Sequence, residues 1–369
     1  MNKIPFVDLK SQYLSIKKEI DFAINDVIEN SAYIKGKHVN EFEKNYKKLF
    51  NVSECISVAN GTDSLFIIMK MLGIGEGDEV ITSAYSWISS SETISLTGAK
   101  PIFIDIEKDY FTIDPNLIES KITANTKAIM VVHIHGQACD MDKICKISEK
   151  YNLPIIEDCA QAHLAEYNGK LVGTFGIAAS FSFFPGKNLG AYGDSGGIIT
   201  NDIDLAKKCR MFANHGQLIK HHHKIEGINS RMDGLQAAIL NVKIKYIKEW
   251  TNLRRKNAKY FCELLKNVKQ IKIPKIRNNT YHSFHLFVIK AKKRDLLKQY
   301  LENNNISVAI HYPKALPNVE CYKSRLSNEK FAISSQNEKE ILSLPLYPEL
   351  KKSQMKYIAQ TIINFYEKK

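Results

Sequence analysis

Three short segments carry side chains that do chemistry when they converge. Asn60-Gly61-Thr62-Asp63-Ser64 lies between an apolar, strand-like run and a helical pattern. Gly61 lets the backbone approach a ligand closely, Thr62 offers a hydroxyl and an N–H, and the helix N-terminus beyond favours a phosphate. Thr62 or Asp63 would equally serve as a plain helix cap. Asp158 ends the run Pro154–Asp158, within Glu157-Asp158-Cys159-Ala160-Gln161-Ala162-His163. A carboxylate there can hold a ring nitrogen in its protonated form, because a nearby opposite charge favours the cation. A loop cap or salt bridge is the simpler use. Lys187 sits in Ser182-Phe183-Phe184-Pro185-Gly186-Lys187-Asn188-Leu189-Gly190, an apolar loop shaped by glycine and proline. In a chain with 45 lysines most are solvated surface. This one follows an apolar strand, where burial lowers its pKa toward an amine that forms Schiff bases.

The elements around these segments predict where they meet. Cys55–Ala59, Val80–Thr82, Pro101–Asp105, Ala128–Ile134 and Pro154–Asp158 read as strands. Helical patterns such as Asp63–Leu72 and Asp140–Tyr151 separate them. Apolar strands alternating with helices predict a mostly parallel sheet covered on both faces, with ligands at the carboxyl ends of its strands. From Arg231 to about Lys266 the chain reads as one long helix. Beyond Pro274 come shorter strand-like pieces, Tyr281–Lys290 and Ile306–Ile310, and a terminal helix from Lys352. The fold class is therefore α/β, with a large domain over residues 1–245 and a smaller C-terminal α+β domain over 246–369.

A phosphate cradle, a carboxylate for a pyridinium nitrogen and a lysine that traps an aldehyde together describe pyridoxal 5'-phosphate chemistry. The three in this order are far more specific than any one.

At this point the sequence resembles the DegT/DnrJ/EryC1/StrS aminotransferases, which act on nucleotide-linked keto sugars. The resemblance runs from Ile4-Pro5-Phe6-Val7-Asp8-Leu9 through Gly136-Gln137 and Asp140-Met141-Asp142 to Gly193-Asp194-Ser195-Gly196-Gly197. It continues through Asn229-Ser230-Arg231-Met232-Asp233 and Ile310-His311-Tyr312-Pro313. It implies a fold-type-I architecture and a homodimer with shared active sites. By position, Lys187 forms the Schiff base and moves the proton at the substrate carbon. Asp158 holds the ring nitrogen, and Gln161 lies near the phenolic oxygen. Gly61, Thr62 and Ser182 bind the phosphate, joined by Asn229 from the other subunit. Trp87 stacks on the ring, a core aromatic being the alternative. Related dehydratases carry histidine where this chain keeps Lys187, so the resemblance implies transamination.

The stretches His215-Gly216-Gln217, Lys220-His221-His222-His223-Lys224 and Ser83-Ala84-Tyr85-Ser86-Trp87 are similar to the branch that aminates dTDP-3-keto-6-deoxyhexoses at C3. Its products are of Fuc3N or Qui3N type and its donor is L-glutamate. Amination at C4 of a UDP- or GDP-linked 4-keto sugar is the runner-up. Candidate substrate contacts are Lys35, His163, Lys220, His222, His311 and Tyr312, with Lys220 and His222 directed at the diphosphate. The histidine run reads otherwise as a solvated loop. As a metal site it lacks a further ligand, and the spacing of His133, His135, Cys139 and Cys145 fits no usual zinc pattern. No metal is expected.

The charge is uneven. Residues 1–200 hold 19 lysines against 25 acidic residues, whereas residues 201–369 hold 33 basic against 14 acidic. That excess admits a nucleic-acid-binding regulator with a salt-dependent affinity. All seven arginines lie in the second part, yet no helix-turn-helix or zinc-finger pattern accompanies them. The opening residues have no apolar signal-peptide core, no apolar run of about 18 residues occurs, and the seven cysteines are scattered. A cytoplasmic protein with neither membrane nor nucleic-acid partners is expected.

Overall fold

The structure is a computed structural model and describes residues 3–324 and 330–367. Nine strands lie between residues 3 and 200: β1 Glu54–Val58, β2 Glu79–Ser83, β3 Lys100–Ile104, β4 Thr126–Val132, β5 Ile155–Asp158, β6 Glu166–Tyr167, β7 Lys170–Leu171, β8 Ala178–Ser182 and β9 Gly196–Thr200. Seven of them form one sheet in the order β1-β9-β8-β5-β4-β2-β3. The pairs from β3 to β8 are parallel, and β9 runs antiparallel to β8 and β1. Alternate residues feed opposite faces. Cys55, Ile81 and Ile129 join Phe42 and Tyr46 of the helix Lys37–Phe50 on one side. Ile56, Val80 and Met130 join Leu65 and Ile68 of the helix Gly61–Met71 on the other. Both faces are thus buried, which is why these strands read as continuous apolar runs.

A second sheet joins β10 Ile271–Lys272, β12 Phe287–Ala291 and β13 Ile341–Leu344, while β11 Thr280–Tyr281 pairs with β6. Phe261, Leu297, Leu301, Ile358 and Ile362 pack over the second sheet in their own core. Ile4 enters that core, hydrogen-bonded to Asn305 and Ser307.

Three expectations change. The helix expected from Arg231 to Lys266 is two helices, Gly234–Lys243 and Ile247–Leu265. The first packs Ala237 and Leu240 on the large sheet and the second packs Phe261 and Leu265 in the other core, so the axis must turn between them. The strand expected over Tyr281–Lys290 is interrupted at 282–286. Ile306–Ile310 makes only single bridges, from Ile306 to Ile4 and from Ala309 to Ser343.

Candidate active site

A cavity of about 420 Å³ opens at the carboxyl ends of the parallel strands. Gly61, Thr62, Trp87, Asp158, Gln161, Ser182, Lys187, His311 and Tyr312 all line it.

The helix begins at Gly61 because the Asn60 side chain accepts the Asp63 N–H at 2.8 Å. Asn60 is therefore the cap, in place of the expected Thr62 or Asp63. Thr62 is left free to share a 2.7 Å hydrogen bond with the Ser89 hydroxyl. Gly61 packs so closely on the end of β8 that a Cβ there would lie 2.8 Å from the Ser182 Cβ. The helix start and Ser182 thus form one cradle.

Asp158 is the buried last residue of β5. Its carboxylate accepts the Ala160 N–H at 3.1 Å and the Ser90 hydroxyl at 3.0 Å. Burial pushes its pKa up, opposed by those two hydrogen bonds and by Lys187. A pyridinium N–H against it would supply the countercharge that burial makes costly to lack. Gln161 accepts the His135 N–H at 2.7 Å and donates to the Tyr312 hydroxyl at 2.8 Å. The Tyr85 hydroxyl donates to the Tyr312 carbonyl at 2.6 Å.

Lys187 follows a turn closed by its own N–H on the Phe184 carbonyl at 2.8 Å. Burial brings its pKa down to about 8, with Asp158 pulling the other way. A substantial neutral fraction near pH 8 is what an amine nucleophile needs. Trp87 is 57% exposed and its ring lies 5.6 Å from that of Tyr312, so it is a cavity wall and not a core aromatic. The residues fit the cofactor: a helix N-terminus and hydroxyls for its phosphate, a buried carboxylate for its nitrogen and an amine for its aldehyde.

Five expected residues are elsewhere. His163 is fully buried among Tyr46, Phe181 and Phe183, and its substrate-contact reading is corrected to a core position. Lys35, Lys220, His222 and Asn229 are exposed and do not line this cavity. They share one lobe. Ile34 bridges to Asp233, Asn214 bridges to Asn229, and Gln217 bridges to His223. Sequence reasoning missed Ser86, Ser89, Ser90 and Asp194 as wall residues or hydrogen-bond partners. The serine run after Trp87 was the available signal.

Among the described residues, His133, Glu157 and Cys159 lie close enough to suggest a metal site. Glu157 is already saturated, because it accepts the N–H groups of Gly173, Phe175 and Gly176 and a hydrogen bond with His133. His133 in turn accepts the Cys139 N–H on its other nitrogen. The cluster is a buried brace behind β5.

Residues 14–363 match the DegT/DnrJ/EryC1/StrS aminotransferase family. A dTDP-3-amino-3,6-dideoxy-alpha-D-galactopyranose transaminase of Aneurinibacillus thermoaerophilus is 44% identical, over 97% of this chain and 98% of its own. A Geobacillus stearothermophilus protein named pleiotropic regulatory protein is 42% identical, over 98% of each. The crystal structure of Streptomyces venezuelae DesV in complex with a ketimine intermediate superposes with a TM-score of 0.97 at 34% identity. That superposition covers 100% of this chain and 99% of the other.

Proposed function

The chain belongs to the DegT/DnrJ/EryC1/StrS aminotransferase family and is a pyridoxal 5'-phosphate-dependent aminotransferase, and we propose that it transfers the amino group of L-glutamate to C3 of a dTDP-linked 3-keto-6-deoxyhexose. The product would be of Fuc3N or Qui3N type. The observation that carries the reading is the convergence of the Gly61 helix start, Asp158 and Lys187 on one cavity. The similarity to a transaminase named for a 3-amino-3,6-dideoxy sugar supports the position of amination.

The cofactor, when bound, withdraws electrons from the carbon that carries the amine. In this reading Asp158 keeps the ring nitrogen charged. Gly61, Thr62 and Ser182 hold the phosphate. Lys187 takes a proton from the donor's α-carbon and returns one to the sugar carbon, as general base and then acid. Gln161 orients the ring oxygen, Trp87 covers the ring, and Tyr312 and His311 face the sugar.

We read the functional unit as a homodimer. The cavity must accept a phosphate, a nucleotide diphosphate and a dicarboxylate, yet among the described residues its lining offers Lys187 as its only lysine or arginine, beside Asp158 and Asp194. The lobe bearing Lys35, Lys220, His222 and Asn229 holds the missing cations and donors. It also exposes Tyr33, Ile34, Leu218 and Ile219, the kind of apolar surface a second copy covers. Lys220 and His222 of a second copy would meet the diphosphate and Asn229 the cofactor phosphate. Among the described residues no helix is long and apolar enough to cross a membrane. With all seven cysteines free, a reducing cytoplasm suits the protein.

The test incubates purified holoenzyme with glutamate and a panel of dTDP-, UDP- and GDP-linked 3-keto and 4-keto sugars, reading products by mass and NMR. Amination at C3 of the dTDP sugar is expected. Turnover of 4-keto sugars alone would replace this assignment by C4 amination.

A further inference from the structure

The segment between β11 and β12 is strained and unusually well braced. Phe284 adopts φ +46°, a left-handed conformation that a bulky side chain adopts only when its surroundings impose it. The surroundings do so. Ser283 N–H donates to the Gly136 carbonyl at 3.0 Å and Leu286 N–H to the His135 carbonyl at 3.2 Å. Buried Arg254 donates to the Phe284 and His285 carbonyls, each at 3.3 Å, and to that of Leu346 at 2.9 Å. Gly136 approaches so closely that a Cβ there would lie 2.5 Å from the Ser283 hydroxyl.

What this segment presents is a clamp for one side chain, that of Asn188. The buried amide donates to the Ser283 carbonyl at 3.1 Å, while its oxygen faces His285 Nδ1 at 3.4 Å. The first contact fixes which end of the amide is nitrogen, so the His285 ring donates to the oxygen. Burial, then Lys187, hold the His285 ring neutral. Asn188 is the residue after Lys187, and Leu189 behind it is fully buried.

We propose that Asn188 is a positioning residue for Lys187, and that the strained segment 282–286, through Ser283 and His285, exists to hold it. This rests on Lys187 being the cofactor lysine. Without the clamp, the loop 185–190 would let the half-buried amine move further into the open cavity, and its pKa would rise toward that of a solvated lysine.

The experiment follows the visible band that apoprotein forms with added pyridoxal 5'-phosphate, as a function of pH, alongside kcat and KM for glutamate and the melting temperature. Asn188→Ala should move the pH midpoint of band formation upward. It should lower kcat about tenfold while KM changes by no more than about threefold. His285→Ala should do the same more weakly, and His285→Gln, which still offers an N–H donor, should restore much of the loss. The double variant Asn188→Ala with His285→Ala should be no worse than Asn188→Ala alone, because both changes cut one clamp. A midpoint unchanged from the parent overturns the proposal, whatever happens to the melting temperature. Multiplying effects in the double variant overturn it too. If Asn188→Ala fails to fold, His285→Ala with its glutamine rescue decides the matter alone. A visible band that survives Lys187→Ala would instead overturn the reading of Lys187.

Discussion

Gly61→Ala separates the cofactor cradle from the fold that carries it. The new methyl carbon would lie 2.8 Å from the Ser182 Cβ and 3.2 Å from its Cα. Carbon contacts prefer about 3.5–4.0 Å, so the helix start and the end of β8 must separate by roughly 1 Å. Overpacking of this kind costs about 1–3 kcal/mol. In the apoprotein the change is offset only in part, because the preference for alanine over glycine, about 1 kcal/mol in a helix interior, is an upper bound at this first helical position. With that full offset about 0–2 kcal/mol remains, so the melting temperature without cofactor should fall by a few degrees at most. Binding is different: in the proposed cradle the phosphate needs the N–H groups of the helix start and the Ser182 hydroxyl at one point, which the separation prevents. A loss of about 1.4–2.8 kcal/mol corresponds to roughly 10- to 100-fold in affinity. The assay is an absorbance titration with pyridoxal 5'-phosphate, repeated with pyridoxal, which lacks the phosphate. The loss should be confined to the phosphorylated form. Equal losses for both compounds, or none, would refute the cradle.

Three further outcomes follow from the geometry. The rate at which apoprotein forms its visible band should rise with pH and be half-maximal near 8, since the folded-state pKa of Lys187 is lowered to about 8 and only the neutral amine attacks; a midpoint above pH 10 contradicts the burial argument. Asp158→Asn should still form the band but lose about 10²–10³ in turnover, measured by 2-oxoglutarate release. Glu157→Ala should destabilise the fold by about 3–5 kcal/mol by chemical denaturation, since three backbone N–H groups and His133 lose a buried partner; a loss below about 1 kcal/mol would show that the brace is dispensable.

The convergence of Gly61, Asp158 and Lys187 on one cavity was legible because each piece has a local signature: a glycine and hydroxyl at a helix start, an acid at a strand end, a lysine in an apolar loop. Strand order and the closeness of Gly61 to Ser182 were not legible, because they depend on pairings between distant segments. His163 shows where motif reading fails. It is two residues beyond Gln161, which lines the cavity, yet its side chain packs into the aromatic cluster behind β8. A motif records which residues occur together and not which way each one points. The break at 282–286 was hidden for a related reason. It lies between Tyr281 and the apolar run Phe287–Ile289, with Phe284 and Leu286 at strand-like alternate positions, and contacts with Gly136, Asn188 and Arg254, far away in sequence, hold Phe284 out of a strand.

The proposed division of labour between cavity and lobe has a consequence that no single-chain variant displays. Lys187→Ala removes the nucleophile from its own cavity but leaves its lobe intact. A double variant, Lys220→Ala with Asn229→Ala, leaves its own cavity intact but spoils the lobe. If each cavity is completed by the other copy's lobe, both variants are inactive as homodimers. A heterodimer then has one cavity with an intact Lys187 and an intact facing lobe. Equal amounts assembled at random give one half heterodimers with one working site of two, so the mixture should recover about a quarter of parental activity. Co-expression with two affinity tags isolates the heterodimer, where about half the parental activity per dimer is expected. If each cavity were instead completed by its own lobe, the heterodimer would carry two dead sites. Activity no greater than that of the separate variants would then refute the shared site, while leaving the chemistry assigned to Lys187 and Asp158 untouched.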